Sequence, residues 1–95
     1  MVIERQTRYI RDIKKLTKSH KLTIEEIDFT EELLCKDLYH KTLRFHKIVC
    51  KKDKDRYSIT IPNTQYRILI TKLEKKIYLN TLLDHKAYDR INKNC

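Results

Sequence analysis

The stretch RYSITIPNTQYRILIT, residues 56–71, decides the fold of this chain. Apolar and polar residues alternate through residues 57–61, and a period of two is typical of a strand with one buried face. Pro62 cannot donate a hydrogen bond within a sheet, so a turn is predicted there. A second alternating run follows the turn. The two runs predict an antiparallel hairpin in which Thr60 lies opposite Arg67.

The residues after this hairpin predict a third strand and a short closing helix. Apolar residues recur between residues 77 and 83, which we interpret as a strand paired with the second one. A helix is expected over 84–92, with Asp84 as its cap. If a four-residue loop joins the second and third strands, Tyr78 and Asn80 share a face of the sheet with the hairpin's arginine.

The residues before the hairpin predict two helices. Apolar residues at three-residue steps indicate a helix from about residue 7 to residue 19. Thr23-Ile24-Glu25-Glu26 matches a capping box, so a second helix is expected to begin there and to end near Tyr39. Residues 43–50 are interpreted as another strand, and residues 2–3 as a short edge strand.

These elements predict an α+β fold. Two N-terminal helices pack on one face of a three- or four-stranded antiparallel sheet, and a short C-terminal helix follows. At 95 residues the chain is expected to form a single domain, 1–95. Because the two helices cover one face, the opposite face is expected to be open to water or to a ligand.

The composition indicates a polyanionic partner. Lys and Arg total 22 against 13 acidic residues, which gives a formal net charge of +9. Such an imbalance on a small surface attracts RNA, DNA, an acidic membrane or an acidic protein. The absence of glycine excludes glycine-rich phosphate loops, and no Cys-x-x-Cys pair suggests a zinc site. No cofactor or metal is expected. Without a long apolar run, we expect a soluble, cytoplasmic protein with no membrane partner.

Several residues of the open face and its edges have the chemistry of a metal-independent ribonuclease. Such an enzyme needs a base for the 2′-hydroxyl, cations on the phosphate and an acid for the leaving oxygen. His85 suits the acid or base role, and Arg67 offers a fork of donors to a phosphate. The candidate catalytic residues are Arg67, His85, Tyr88, Lys54 and Arg56, and the candidate RNA-binding residues are Lys47, Lys51, Lys52 and Tyr78.

Each of these residues also has a purely structural interpretation. The lysine run 51–54 is also typical of a solvated turn, and Arg67 of a surface partner for an acid on a neighbouring strand. A single histidine such as His85 is most often a surface residue. The tyrosines alternate with aliphatic residues, which favours a place in or beside the core. The pattern alone therefore indicates a basic α+β domain with a cationic sheet face.

Three segments resemble the RelE/ParE superfamily. They are the hairpin with its Tyr66-Arg67-Ile68 run, the ending His85-Lys86-Ala87-Tyr88-Asp89, which is similar to that of HigB-type toxins, and the helical segment 9–16. The resemblance implies the toxin of a type II toxin–antitoxin pair. Most members cleave mRNA in the ribosomal A site without a metal and are neutralised by an antitoxin protein.

Residue by residue, the resemblance assigns Arg67, His85 and Tyr88 to the active site. Lys52, Lys54 and Arg56 match only as a basic region, and the basic hairpin lacks the glycine that relatives often have there. Two alternatives stay open: a ParE-like inhibitor of DNA gyrase with the same fold, and a nucleic-acid-binding module without enzymatic activity.

Overall fold

The order of helices and strands follows the alternation and capping patterns of the sequence. A computed structural model describes residues 2–93, and within them the chain forms three α-helices, a 3₁₀ turn and five strands. Their bounds are β1 Val2–Arg5, α1 Thr7–Lys18, α2 Ile24–Lys36, the 3₁₀ turn Lys41–Leu43, β2 His46–Lys47, β3 Arg56–Thr60, β4 Arg67–Lys72, β5 Lys76–Leu83 and α3 His85–Lys93.

The strands form one sheet in the order β1-β5-β4-β3-β2. The predicted hairpin register is confirmed, because Thr60 lies opposite Arg67. A β-bulge in β5 adds Asn80 as an extra residue, so Leu69 pairs with Thr81 while Ile70 pairs with Leu79. In a regular strand, Tyr78 and Leu83 would lie on opposite faces, because they are an odd number of positions apart. The extra residue places both side chains on the face of Arg67.

The sheet differs from the prediction in two ways. It has five strands, and β1 pairs in parallel with β5, so the sheet is mixed where a wholly antiparallel one was predicted. The predicted edge strand at residues 2–3 is confirmed. The predicted strand 43–50 was too long, since only His46–Lys47 pairs with β3. Arg44 explains the late start of β2: its φ of 51° is left-handed and turns the chain out of the extended conformation.

Helices α1 and α2 cover one face of the sheet, as predicted. The capping box forms, because Glu26 N donates to Thr23 Oγ1 at 3.1 Å and Thr23 N donates to Glu26 Oε1 at 2.9 Å. Helix α2 ends at Lys36, three residues before the predicted end at Tyr39. The core between helices and sheet contains the fully buried Tyr9, Ile27, Leu34, Ile59, Ile68, Ile70, Ile77 and Leu79.

Tyr9 connects this core to a charged cluster at its edge. The side chain is 0% exposed, and its hydroxyl donates to Glu31 Oε2 at 2.7 Å. Arg5 holds the same carboxylate through Nε at 3.0 Å and Nη2 at 2.9 Å. Burial is the main reason that the pKa of the Tyr9 phenol lies well above its ordinary value, and the hydrogen bond to the Glu31 carboxylate raises this pKa further.

The opposite face of the sheet is only partly open. Helix α3 lies against it, and a second apolar cluster forms from Ile48, Leu69, Leu83 and Tyr88. The expectation of a wholly free face was therefore wrong, because the closing helix also has an apolar side to bury. What remains open is the part of this face beside the N-terminus of α3, where Arg67 begins β4.

Candidate active site

Arg67 is held on three sides. Its Nη1 donates to Thr60 Oγ1 at 2.7 Å, across the β3–β4 pair. Its guanidinium carbon lies 5.3 Å from the ring centroid of Tyr88, within range of a cation–π contact. Its Nη2 lies 3.5 Å from His85 Nδ1. These contacts fix the plane of the guanidinium and leave part of its fork of donors available to an anion.

His85 is the first residue of α3, so the cap of that helix sets its position. Asp84 Oδ1 accepts from Ala87 N at 2.8 Å, which confirms the predicted cap. His85 Nε2 lies 3.2 Å from Asp89 Oδ2, one helical turn further on. Because an arginine can only donate, the contact with Arg67 makes Nδ1 an acceptor and leaves the hydrogen on Nε2, facing Asp89. The unprotonated Nδ1 therefore lies beside the guanidinium.

A second imidazole approaches from strand β2. His46 Nδ1 lies 2.8 Å from the carbonyl oxygen of Arg44, which can only accept, so Nδ1 carries the hydrogen. His46 Nε2 is then the acceptor for the Tyr88 hydroxyl at 3.1 Å. Tyr88 is 8% exposed, so its ring packs in the protein while its hydroxyl points to His46. The phenol thus links Arg67 on one side to His46 on the other.

These groups surround a pocket of about 230 Å³ that suits an anion. Among residues 2–93, its lining consists of Arg44, His46, Thr60, Arg67 and Tyr88 and includes no carboxylate. Two guanidinium groups and an imidazole at one opening favour a phosphate or a similar anion. His85 lies beside this opening through its contact with Arg67. A phosphate bound to Arg67 would lie close to two imidazoles and a phenol, all of which can transfer a proton.

No family model and no curated protein matches the sequence, whereas several solved structures match its backbone. The E. coli DinJ–YafQ complex matches with a TM-score of 0.75 and 15% identity, over 90% of this chain and 93% of that chain. A copper-bound mutant toxin from Helicobacter pylori matches with a TM-score of 0.73 and 14% identity, over 92% and 97%. A YoeB/ParE toxin from Agrobacterium tumefaciens matches with 0.66 and 9%, over 90% and 99%. The chain has the RelE/ParE toxin fold.

On this RelE/ParE fold, the predicted site residues separate into two groups along the sheet. Arg67, His85 and Tyr88 lie together where β4 begins and β5 ends. Arg56 lies opposite Thr71, four residues along β3 from Thr60, which at about 3.3 Å per residue is on the order of 13 Å away. The predicted catalytic pair Lys54 and Arg56 is thus not brought to the Arg67 pocket.

The four predicted RNA-binding residues, Lys47, Lys51, Lys52 and Tyr78, also lie away from this pocket. Lys51, Lys52 and Lys54 are exposed in the loop that enters β3, at the same end of the sheet as Arg56. Tyr78 is on the predicted face but lies opposite Thr71, with Lys76 Nζ 4.9 Å from its ring centroid. Lys47 is on the other face, since its Nζ lies 5.9 Å from the ring centroid of Tyr57, which packs towards the helices.

Sequence reasoning missed His46 and Arg44 as residues of the site. His46 contacts Tyr88 across 42 positions of the chain, and it does so because β2 pairs with β3 at His46 and Ser58. The alternation of apolar and polar residues predicted β3, but the two-residue strand β2 is too short for any such pattern to predict its register. The left-handed Arg44 likewise has no signal in the sequence.

Within residues 2–93, no cluster of three or more histidine, cysteine, aspartate or glutamate side chains is arranged to hold a metal ion. In the same part of the chain, none of the helices combines the length and the apolar character needed to cross a membrane.

Proposed function

We propose that this chain is the toxin of a type II toxin–antitoxin pair and cleaves mRNA on the ribosome, in the cytoplasm, as a metal-independent endoribonuclease. The observation that carries the proposal is the contact of Arg67 with both His85 and Tyr88, beside the pocket that Arg67 and Tyr88 line. Solved structures with this fold are named as toxins, and one is a complex of YafQ with DinJ. An antitoxin protein is accordingly the proposed protein partner.

The proposed reaction is attack of a ribose 2′-hydroxyl on the adjacent phosphate. His85 accepts the 2′-hydroxyl proton at Nδ1, the atom that faces Arg67. Arg67 binds the non-bridging phosphate oxygens as their charge becomes more exposed in the transition state. The bond from phosphorus to the 5′-oxygen breaks, and that oxygen takes a proton. The products are a 2′,3′-cyclic phosphate and a free 5′-hydroxyl.

The proton for the leaving oxygen is assigned to the pair formed by Tyr88 and His46. Their hydrogen bond of 3.1 Å joins a phenol to an imidazole beside the phosphate position. When His46 also takes up a proton at Nε2, the hydrogen bond to Tyr88 reverses, and the imidazolium can supply that proton directly or through the Tyr88 hydroxyl. Stacking of the Tyr88 ring on an RNA base is not part of this proposal, because the ring is buried and one of its faces is occupied by Arg67.

The second group of predicted residues is assigned to RNA outside the pocket. Lys51, Lys52, Lys54 and Arg56 form a basic region at the far end of the sheet, and Tyr78 lies nearby. Their charge would attract the RNA backbone without touching the scissile phosphate.

Cleavage of mRNA on translating ribosomes tests the proposal. Purified parent protein should cut mRNA in the presence of EDTA, whereas Arg67→Ala and His85→Ala should not. Lys14→Ala is the control, since Lys14 is an exposed cation on α1, away from the pocket. A parent that inhibits gyrase supercoiling but leaves mRNA intact would instead be a ParE-like gyrase inhibitor. Salt-dependent RNA binding without cleavage would identify a binding module and overturn the proposal.

A further inference from the structure

A second, larger cleft continues from the candidate active site along the β3–β4 turn. Its volume is about 690 Å³, within the range of pockets that hold small organic ligands. It shares Arg44, Thr60 and Arg67 with the smaller pocket. The remaining lining residues come from the 3₁₀ turn and the β3–β4 turn: Lys41, Thr42, Pro62, Asn63, Thr64 and Gln65. A strand of RNA with its phosphate on Arg67 would therefore continue into this cleft.

One side of this cleft carries uncompensated positive charge. Lys41 and Arg44 are exposed, and within residues 2–93 neither forms an ion pair. Arg44 directly follows the 3₁₀ turn in a left-handed conformation, and both side chains line the cleft. No acidic residue in the part of the chain that the structure describes lines the cleft. This side has the charge expected of a contact with a phosphate of the RNA backbone.

The other side of the cleft presents two unused amides. Asn63 and Gln65 are exposed, and in the described part of the chain neither side-chain amide has a hydrogen-bond partner. The turn between them is firmly held, because Thr64 Oγ1 donates to the Ile61 carbonyl at 2.8 Å and accepts from Tyr66 N at 3.0 Å. Each amide offers a donor and an acceptor side by side, which is the arrangement that reads the edge of an unpaired base.

We infer that this cleft binds the nucleotide next to the scissile phosphate and sets the base preference of cleavage. Lys41 and Arg44 hold the phosphate of that nucleotide, and Asn63 and Gln65 read its base. The inference rests on the proposed ribonuclease function and adds to it a specificity-determining subsite. The two sides of the cleft have separate roles: the cations contribute affinity for any sequence, whereas the amides contribute discrimination between bases.

Sequencing the cut ends of cellular mRNA on translating ribosomes tests the role of the amides. We expect the parent to prefer one base at the position adjacent to the cut. The Asn63→Gly, Gln65→Ala double variant should lose at least about fivefold of that preference while still cutting, since a bidentate pair discriminates by roughly that factor or more. Glycine accepts the φ of 64° found at Asn63, so the turn is retained. Gln6→Ala removes an amide that lies away from the cleft and is the matched control.

Binding to a short 2′-O-methyl RNA, which cannot be cleaved, tests the role of the cations. In Lys41→Ala, the slope of log affinity against log salt concentration should fall by about 1, whereas Lys14→Ala should leave the affinity unchanged. The subsite is refuted, and the proposed function stands, if the parent cleaves RNA but neither variant differs from it. In that case the amide variant keeps the base preference of the parent, and Lys41→Ala keeps the same salt dependence of RNA affinity. If the parent neither binds nor cleaves RNA, the subsite and the proposed function are both refuted.

Discussion

Replacement of Arg67 by lysine asks whether the site needs the shape of a guanidinium or only a positive charge. Nη1 of Arg67 is 2.7 Å from Thr60 Oγ1, and its Nη2 is 3.5 Å from His85 Nδ1. The plane also lies against the Tyr88 ring. A lysine has one nitrogen, so it cannot keep the Thr60 bond, contact His85 and bind a phosphate at the same time.

The loss expected in Arg67→Lys is that of one charge-assisted hydrogen bond to the phosphate. Such a bond contributes about 1.5–3 kcal/mol, so the cleavage rate should fall about 10- to 150-fold. Loss of the Thr60 bond and of the contact with the Tyr88 ring should lower the free energy of unfolding by only about 1–2 kcal/mol. The catalytic effect should therefore exceed what partial unfolding explains.

Single-turnover cleavage of ribosome-bound mRNA measures the first quantity, and urea denaturation measures the second. Arg11→Lys on the exposed side of α1 is the matched control and should leave both unchanged. Arg67→Ala should lower the rate further than Arg67→Lys, because the charge is lost as well. A lysine variant that cleaves within twofold of the parent would refute the dependence on guanidinium geometry.

Three further changes have distinct expected results. Tyr88→Phe breaks the 3.1 Å bond to His46, so the pH–rate profile of cleavage should change, and an unaltered profile would remove Tyr88 from proton transfer. Tyr9→Phe should cost about 1.5–3 kcal/mol of unfolding free energy in urea at neutral pH, because the bond to the charged Glu31 is lost. Folding raises the pKa of Tyr9, so above a pH of about 10 the unfolded parent loses this proton while the folded parent keeps it, and the parent becomes less stable. The difference in unfolding free energy between the parent and Tyr9→Phe should therefore narrow above this pH. A difference that stays constant with pH would contradict the raised pKa of Tyr9. Lys54→Ala should weaken RNA binding and reduce its salt slope by about 1, with little change in the rate once RNA is bound; equal slopes in variant and parent would contradict its proposed role.

Local sequence signals were enough for most of the fold. The alternation around Pro62 predicted the hairpin register, and the capping box predicted the start of α2. The predictions were wrong where a single backbone angle or a long-range strand pairing determines the structure. Arg44 breaks the predicted strand 43–50 through its left-handed φ, and β1 pairs with a strand about 74 positions away.

The site was predictable only as a set of residue types. Arg67, His85 and Tyr88 came from the resemblance and from the predicted sheet face, and the structure brings these three together. The hairpin register already implied that Arg56, four residues from Thr60, lies far from the pocket. A shared face therefore did not mean a shared location.

By itself, the sequence determined the helices, the hairpin and the positive charge, because propensity, alternation and capping act between neighbouring residues. Only the tertiary structure decided which charges meet. The packing of α3 on the sheet and the pairing of β2 with β3 place His46 against Tyr88, 42 positions away, and leave Arg67 at the edge of the covered face. Contacts of that kind depend on how whole elements dock, and no local pattern encodes them.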